Sequence, residues 1–191
     1  MKTPIKKIRQ ARPADFKQVA PLIVQAMEEL ACTFANTTEP QKSLPLFEHF
    51  FQLPANQYSF ENTLVYEEKN EITGSITAYE GALLPLYRKP FLDYIALNYN
   101  VKDLIIENET LKGEFYIDTL SVYPEHQGKG IGSKLLRAIK EKAEKEGHQK
   151  LGLLVDLKNP HAKKLYLALG FETMGEKQLG NSMYEHLQLK L

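Results

Sequence analysis

Seven residues, Gln127 to Ser133, place Gly128, Gly130 and Gly132 around Lys129 and Ile131, immediately before an amphipathic run. Backbone this bare at the mouth of a helix suits an anion. The first N–H groups of a helix have no intrahelical partner, and the helix dipole adds partial positive charge there. Glycine lets the backbone approach the anion and adopt positive φ. Phosphate binding is the chemistry the pattern points to, and Lys129, Lys134 and Arg137 are the nearby cations. Two nucleotide loops fail the test of spacing. A Walker loop needs glycine five residues before Gly128, where Tyr123 stands. A dinucleotide fingerprint starting at Gly130 and Gly132 needs its third glycine where Leu135 stands.

Two further stretches carry groups able to move protons. Glu114, Tyr116 and Asp118 alternate along one strand, so they fall on one face. Asn159 and Tyr166 lie seven residues apart in "NPHAKKLYLALG", which returns both to nearly the same side of a helix.

These residues must be held by particular elements. "EFYIDTLSVYP" reads as a strand leading into the glycines, and a helix over about 130–145 buries Ile131, Leu135, Leu136, Ile139 and Ala143 on one face. "KLGLLVDL" is nearly continuously apolar, as a strand covered on both sides is. Asn159 at the N-cap, Pro160 at the first helical position and Gly170 past the end delimit the next helix. Upstream, "IKKIRQA" is a first strand, "PADFKQVAPLIVQAMEEL" a helix, and "QKSLPLFEHFFQL" a shorter helix ended by "PANQ". "NTLVYEE" and "EITGSITAYEG" form a hairpin around Lys69-Asn70, and "FETMGEKQ" and "SMYEHLQLKL" are final strands around Leu179-Gly180-Asn181. Residues 81–112 show no clean period. This order argues for an α/β domain with a mixed sheet, one domain spanning 1–191.

Composition narrows the partners. Lys plus Arg and Asp plus Glu number 24 each, so nothing global draws the chain to nucleic acid or a membrane. The single cysteine, Cys32, allows no internal disulfide. No apolar run reaches spanning length and no signal-peptide core follows the basic start. A cytoplasmic protein, monomeric or homodimeric, without a metal is the expectation.

The spacing Gln127-x-x-Gly130-x-Gly132 within "IDTLSVYPEHQGKGIGSKLL", followed by "LGLLVDLKNPHAKKLYLALGF", resembles the GNAT superfamily of acyl-coenzyme A-dependent N-acyltransferases. The likeness covers roughly residues 114–175. It implies a largely antiparallel central sheet with helices on both faces, and acetyl-CoA as cosubstrate. It also implies that Gln127, Gly128, Lys129, Gly130, Ile131, Gly132 and Ser133 hold the pyrophosphate. The backbone of Leu120, Ser121 and Val122 would pair with the pantetheine amides, Asn159 would touch the pantetheine arm, and Tyr166 would stand near the sulfur. The implied reaction is direct attack of a primary amine on the thioester.

A lysine-like amine has a pKa of about 10.4, so a proton must leave it before attack, and the departing thiolate gains from a donor. Tyr166 is the candidate acid, although its spacing with Ala162, Leu165 and Leu169 also suits a core residue. Asp118 is the first candidate base, Asp156 the second and Glu80 the third; a water relay is the remaining route. Leu153-Leu154 stands where some relatives carry a glutamate, so that role does not transfer. The aromatic segment 81–112 is too long for a plain connection, so it is functional or carries its own helix. Tyr87, Phe91 and Tyr94 either wall the acceptor pocket together with Glu28, Glu29 and Phe47, favouring an apolar amine, or simply cover the sheet or form a dimer contact. The rival reading is a non-catalytic acyl-CoA-binding module on the same fold.

Overall fold

A computed structural model describes residues 6–102, 104–180 and 182–191. The first strand expected from Ile5 and the turn through Asn181 lie partly outside the described residues. Among the described residues a single seven-stranded sheet runs through the molecule in the order β1-β2-β3-β4-β5-β7-β6. Its strands are β1 (Lys6–Gln10), β2 (Thr63–Glu68), β3 (Glu71–Glu80), β4 (Phe115–Val122), β5 (Lys150–Asp156), β6 (Glu172–Leu179) and β7 (Ser182–Lys190). Every neighbouring pair is antiparallel except β4 and β5.

Helices α1 (Phe16–Ala26), α2 (Glu28–Phe34), α3 (Leu44–Phe51) and α4 (Leu84–Asn98) cover one face. There Leu22, Ile23, Phe47, Phe51, Tyr58 and Phe91 make a core. Helices α5 (Ile131–Lys145) and α6 (Pro160–Ala168) cover the other, packing Ile131, Leu135, Ile139 and Tyr166 on Ile117, Leu151 and Leu153. The alternation along β5 explains its sequence, since Leu151, Leu153 and Val155 face α5 and α6 while Leu154 meets the opposite layer.

One expectation changes. The run expected as one helix over residues 13–30 breaks at Met27, whose φ of −142° and ψ of 42° are not helical, so α1 and α2 are separate. The segment without a period carries its own helix, α4, one of the two alternatives its length allowed. Its period was hidden because both sides of α4 carry apolar residues: Phe91 and Ile95 are buried, while Leu86 and Leu97 are exposed. Phe91 packs edge-on to Phe34, Phe50 and Tyr58, and Phe47 is fully buried beside Tyr58. Phe91 is therefore core, and neither it nor Tyr87 nor Tyr94 lines the cleft or the chamber beside β4; other residues of the segment line a separate groove, among them Leu84, Arg88 and Leu92.

The junction of β4 with β5 decides the shape of the site. Only Phe115↔Leu151, Tyr116↔Gly152 and Ile117↔Leu153 pair; beyond Ile117 the two strands part. Glu114 seals the closed end. Its carboxylate accepts from the Leu111 N–H at 2.6 Å and from Gln188 at 2.5 Å, and His186 Nε2 lies 2.7 Å away. Burial alone would raise its pKa, yet His186, the Leu111 N–H and Gln188 outweigh that and hold it below the usual value. Gly152 makes room for this carboxylate, because a Cβ there would sit 2.4–2.7 Å from its atoms. Gly152→Ala is expected to cost about 2–4 kcal/mol through overpacking and a displaced buried charge. The check is the urea midpoint at constant m-value; an unchanged midpoint would show that Glu114 swings aside freely.

Candidate active site

The parting of β4 from β5 opens a cleft of about 480 Å³ between β4, the loop before α5, and α6. Leu120, Ser121 and Val122 form its β4 wall. The glycine loop forms its mouth. Gly128 and Gly130 have φ of 72° and 74°, a left-handed conformation that costs other residues about 1–2 kcal/mol. Gly130 is the N-cap of α5 and brings no side chain to cap the helix, so the first-turn N–H groups of α5 open onto the cleft wall made by Ile131, Gly132 and Ser133. Gln127 ties this loop to the strand, donating from Nε2 to the Val122 carbonyl at 2.9 Å.

Lys129 departs from the expected group. Its Nζ donates to the Glu125 carbonyl at 2.8 Å, and it does not line the cleft as placed. Lys134 sits over the Tyr66 ring at 5.4 Å and shares a separate shallow groove with Arg137.

Helix α6 forms the far wall. Asn159 is its N-cap and accepts from the Ala162 N–H at 3.1 Å, while its side chain also borders the cleft. Tyr166 is 8% exposed and packs on Phe171, so the core expectation holds for the ring. The same residue borders both the cleft and a second chamber of about 230 Å³, which continues through the parted strands. Burial pushes its hydroxyl up to about 12, so it stays protonated at neutral pH.

The second chamber is polar. Asp118, Thr119 and Asp156 line it with Gln25, Leu153, Leu154 and Tyr184. Asp118 is presented by a β-bulge: Thr77 pairs with Thr119 but Ala78 pairs with Ile117, leaving Asp118 as the extra residue. The bulge also explains why Ile117 and Leu120, three residues apart, both pack on the α5 side. Burial raises the Asp118 carboxyl to about 6, against the opposing pull of a hydrogen bond from Tyr79 and the charge of Arg88. Asp156 also lines the chamber, with Oδ1 accepting from the Lys158 N–H. Glu80 does not reach either space; its carboxylate lies 3.2 Å from His148. Glu29, expected on an acceptor wall, bridges to Ser182 at 2.9 Å and Lys158 at 3.3 Å.

Motif reading misses the side chains around Asp118. Gln57 sits in a stretch read only as a helix breaker, and Arg88 in the segment without a period. Gln25, on the outer side of an amphipathic helix, donates to Ser121 Oγ at 2.7 Å and to the Val122 carbonyl at 3.0 Å. Each of these pairs spans dozens of residues, and no local pattern marks it. Among the described residues no group of His, Cys, Asp and Glu is arranged to hold a metal ion, and no helix is long and apolar enough to cross a membrane.

The architecture has close counterparts. A crystal structure of an acetyltransferase is 31% identical and superposes with a TM-score of 0.80, covering 96% of this chain and 98% of that one. The N-acetyltransferase from Staphylococcus aureus Mu50 is 28% identical with a TM-score of 0.84, covering 96% of this chain and all of that one (100%). A thialysine N-epsilon-acetyltransferase from Bos taurus is 39% identical over 70 residues, which is 36% of this chain and 41% of that protein. The match thus spans well under two thirds of that curated relative. Residues 24–171 fit the model of the Acetyltransferase (GNAT) family, more than half of the chain, and the chain belongs to that family.

Proposed function

We propose that this chain is an N-acetyltransferase that moves the acetyl group of acetyl-CoA to a primary amine by direct attack. The observation that carries the reading is the parting of β4 from β5 between a glycine-capped helix N-terminus and Tyr166. An elongated amide-containing arm needs an unpaired strand edge, and β4 offers one beyond Ile117, where Gln25 and Gln127 now occupy the Val122 carbonyl and would yield it to the arm. A pyrophosphate needs N–H donors, and residues 128–133 offer them at the mouth of the same cleft. Gly128, Gly130, Ile131, Gly132 and Ser133 would hold the phosphates, Gln127 the loop that carries them, and Asn159 the arm. Lys129 would need to turn from the Glu125 carbonyl to join them.

The acceptor amine sheds its ammonium proton to solvent and reaches the thioester from the second chamber as the neutral base. As its nitrogen bonds to the carbonyl carbon it becomes strongly acidic, and Asp118 takes the proton. A carboxyl near 6 is ionised at neutral pH and more basic than an ordinary aspartate. A strand N–H of β4 polarises the carbonyl oxygen. Tyr166 faces the departing sulfur. A hydroxyl near 12 is a weaker acid than a thiol of about 8.5, so full transfer from it to the thiolate runs uphill by about 5 kcal/mol. Its contribution is a hydrogen bond that steadies the charge, with solvent delivering the proton afterwards.

Release of free thiol from acetyl-CoA in the presence of a panel of primary amines tests the reading. Binding of acetyl-CoA without thiol release across the panel would favour a non-catalytic binder instead. The loop assignment has its own test. Gly130→Val forces a β-branched residue into left-handed backbone, with open space around its Cβ. Losing one or two charge-assisted hydrogen bonds should weaken acetyl-CoA binding about 10–10³-fold in calorimetry, with an unchanged circular dichroism spectrum. Unchanged affinity would move the phosphates elsewhere.

A further inference from the structure

We propose that Tyr79, Gln57 and Arg88 are positioning residues that fix Asp118 with one carboxylate oxygen held and the other left for the amine; the proposal rests on Asp118 being the base. Tyr79 donates from its hydroxyl to Asp118 Oδ2 at 2.5 Å. Gln57 Nε2 approaches the same oxygen at 3.4 Å. Neither bond involves Oδ1, and Asp118 lines the acceptor chamber. A carboxylate anchored through one oxygen from behind cannot rotate without breaking both contacts.

The amide of Gln57 is itself oriented. Its Oε1 accepts from Arg88 Nε at 3.2 Å, so its nitrogen must face Asp118. Arg88 in turn is clamped by Glu109, its ion-pair partner, and donates to the Glu107 carbonyl at 3.4 Å. Glu109 also accepts from the Tyr116 hydroxyl at 3.0 Å. Gln57, Tyr79 and Tyr116 are each 2% exposed, and Arg88 and Glu109 are 8% exposed. Burying five polar side chains is costly unless they pair, and here the chain of bonds ends on the chamber.

Several titratable or charged groups bear on Asp118. Tyr79 stands on β3, Tyr116 on β4, Tyr58 before β2 beside Gln57, and Arg88 on α4 with Glu109 from the connection that follows. Asp156 and Tyr184 share the chamber. Burial pushes the carboxyl up, while the Tyr79 bond, Arg88 and Gln57 pull it down. Removing any of the three contacts must therefore raise it further, and with it the pH below which the base is lost.

The test is the pH dependence of kcat/KM for Tyr79→Phe and Gln57→Met, with the carboxyl of Asp118 followed in parallel by ¹³C NMR on aspartate-labelled protein. The acidic limb should move up by about half to one pH unit in each. Turnover at pH 7 should fall about 3–30-fold, as misplacement of a catalytic group demands, with KM for acetyl-CoA within about twofold of wild type. Gln57→Glu, which keeps a partner for Arg88 but sets a negative charge against Asp118, should move the limb further. A limb and an NMR titration that superpose on wild type in Tyr79→Phe would overturn the proposal. So would a Tyr79→Phe protein that cannot fold, since the hydroxyl would then be structural. Wild-type turnover in Asp118→Asn is a separate result: it removes the base reading itself. Loss of turnover in Asp118→Asn with an unmoved limb in Tyr79→Phe sinks only the positioning role.

Discussion

Asp118→Asn is expected to lower turnover about 10²–10⁴-fold and at the same time to raise stability at neutral pH. The two effects have one origin. Asp118 sits beneath the bulge of β4, where protein replaces most of its water, and its carboxyl is raised from 3.8 to about 6. A folded-state pKa above the unfolded one means that the folded protein binds the proton more tightly. At pH below 3.8 both states carry it and there is no penalty. As pH rises toward about 6 the unfolded chain releases its proton first, so stability falls, and above 6 the full cost remains. A shift of roughly two units corresponds to about 3 kcal/mol at most. Asparagine removes the charge and can keep an oxygen facing Tyr79 and Gln57, but a neutral carbonyl accepts more weakly than a carboxylate, so a net gain of about 1–2 kcal/mol is expected at pH 7.5. The gain should shrink steadily between pH 6 and pH 4. Calorimetric melting across that range, beside thiol release with a reactive amine, measures both sides. A variant that loses activity and stability equally at every pH would show that Asp118 is a structural ion and carries no functional strain.

The sequence is most legible where the chemistry is local. Gly130 at positive φ before α5, and Asn159-Pro160 at the start of α6, are recognisable because cap geometry is decided within four residues. The strand β5 reads correctly because burial on both sides leaves a continuous apolar run. What surrounds Asp118 is illegible for the converse reason. Tyr79 and Gln57 lie 39 and 61 residues away, and the bulge that aims the carboxylate is a register shift between two strands. Strict alternation from Glu114 rightly placed Tyr116 and Asp118 on one face, but it could not foresee the slip at Thr119. The aromatic segment shows which of two open readings the structure takes for Phe91. Tyr87, Phe91 and Tyr94 belong to a helix that continues through Pro90, and its period is blurred because Leu86 and Leu97 are exposed beside Lys89 and Asp93 while Arg88 is buried among the apolar residues. Glu80 shows the limit of proximity along a strand: it ends β3 at the closed end of the sheet, beside His148, while the strands part at the other end.

Tyr166→Phe is expected to reduce turnover about 10–10²-fold and to leave acetyl-CoA affinity nearly unchanged. The loss is that of one hydrogen bond to a charged group, about 1.5–3 kcal/mol, and no more because a thiolate leaves tolerably unaided. The ring packs on Phe171 and against the core of α6, and phenylalanine preserves that packing, so loss of fold is not a confounding outcome. The pH profile separates two roles for the hydroxyl. A true proton donor would impose a basic limb near its own pKa, and that limb would vanish in the variant. With the hydroxyl at about 12, no limb from it falls inside the working range. The variant should therefore run parallel to wild type from pH 6 to 10, displaced downward by a constant factor. Solvent isotope effects should change little, because no proton moves from this oxygen in the step it assists. A variant whose deficit grows with pH and whose basic limb disappears would make Tyr166 the donor itself, with its hydroxyl acidified when substrate is bound. A variant with wild-type turnover throughout would reduce the tyrosine to a wall residue and shift the stabilisation of sulfur to the N–H groups of β4.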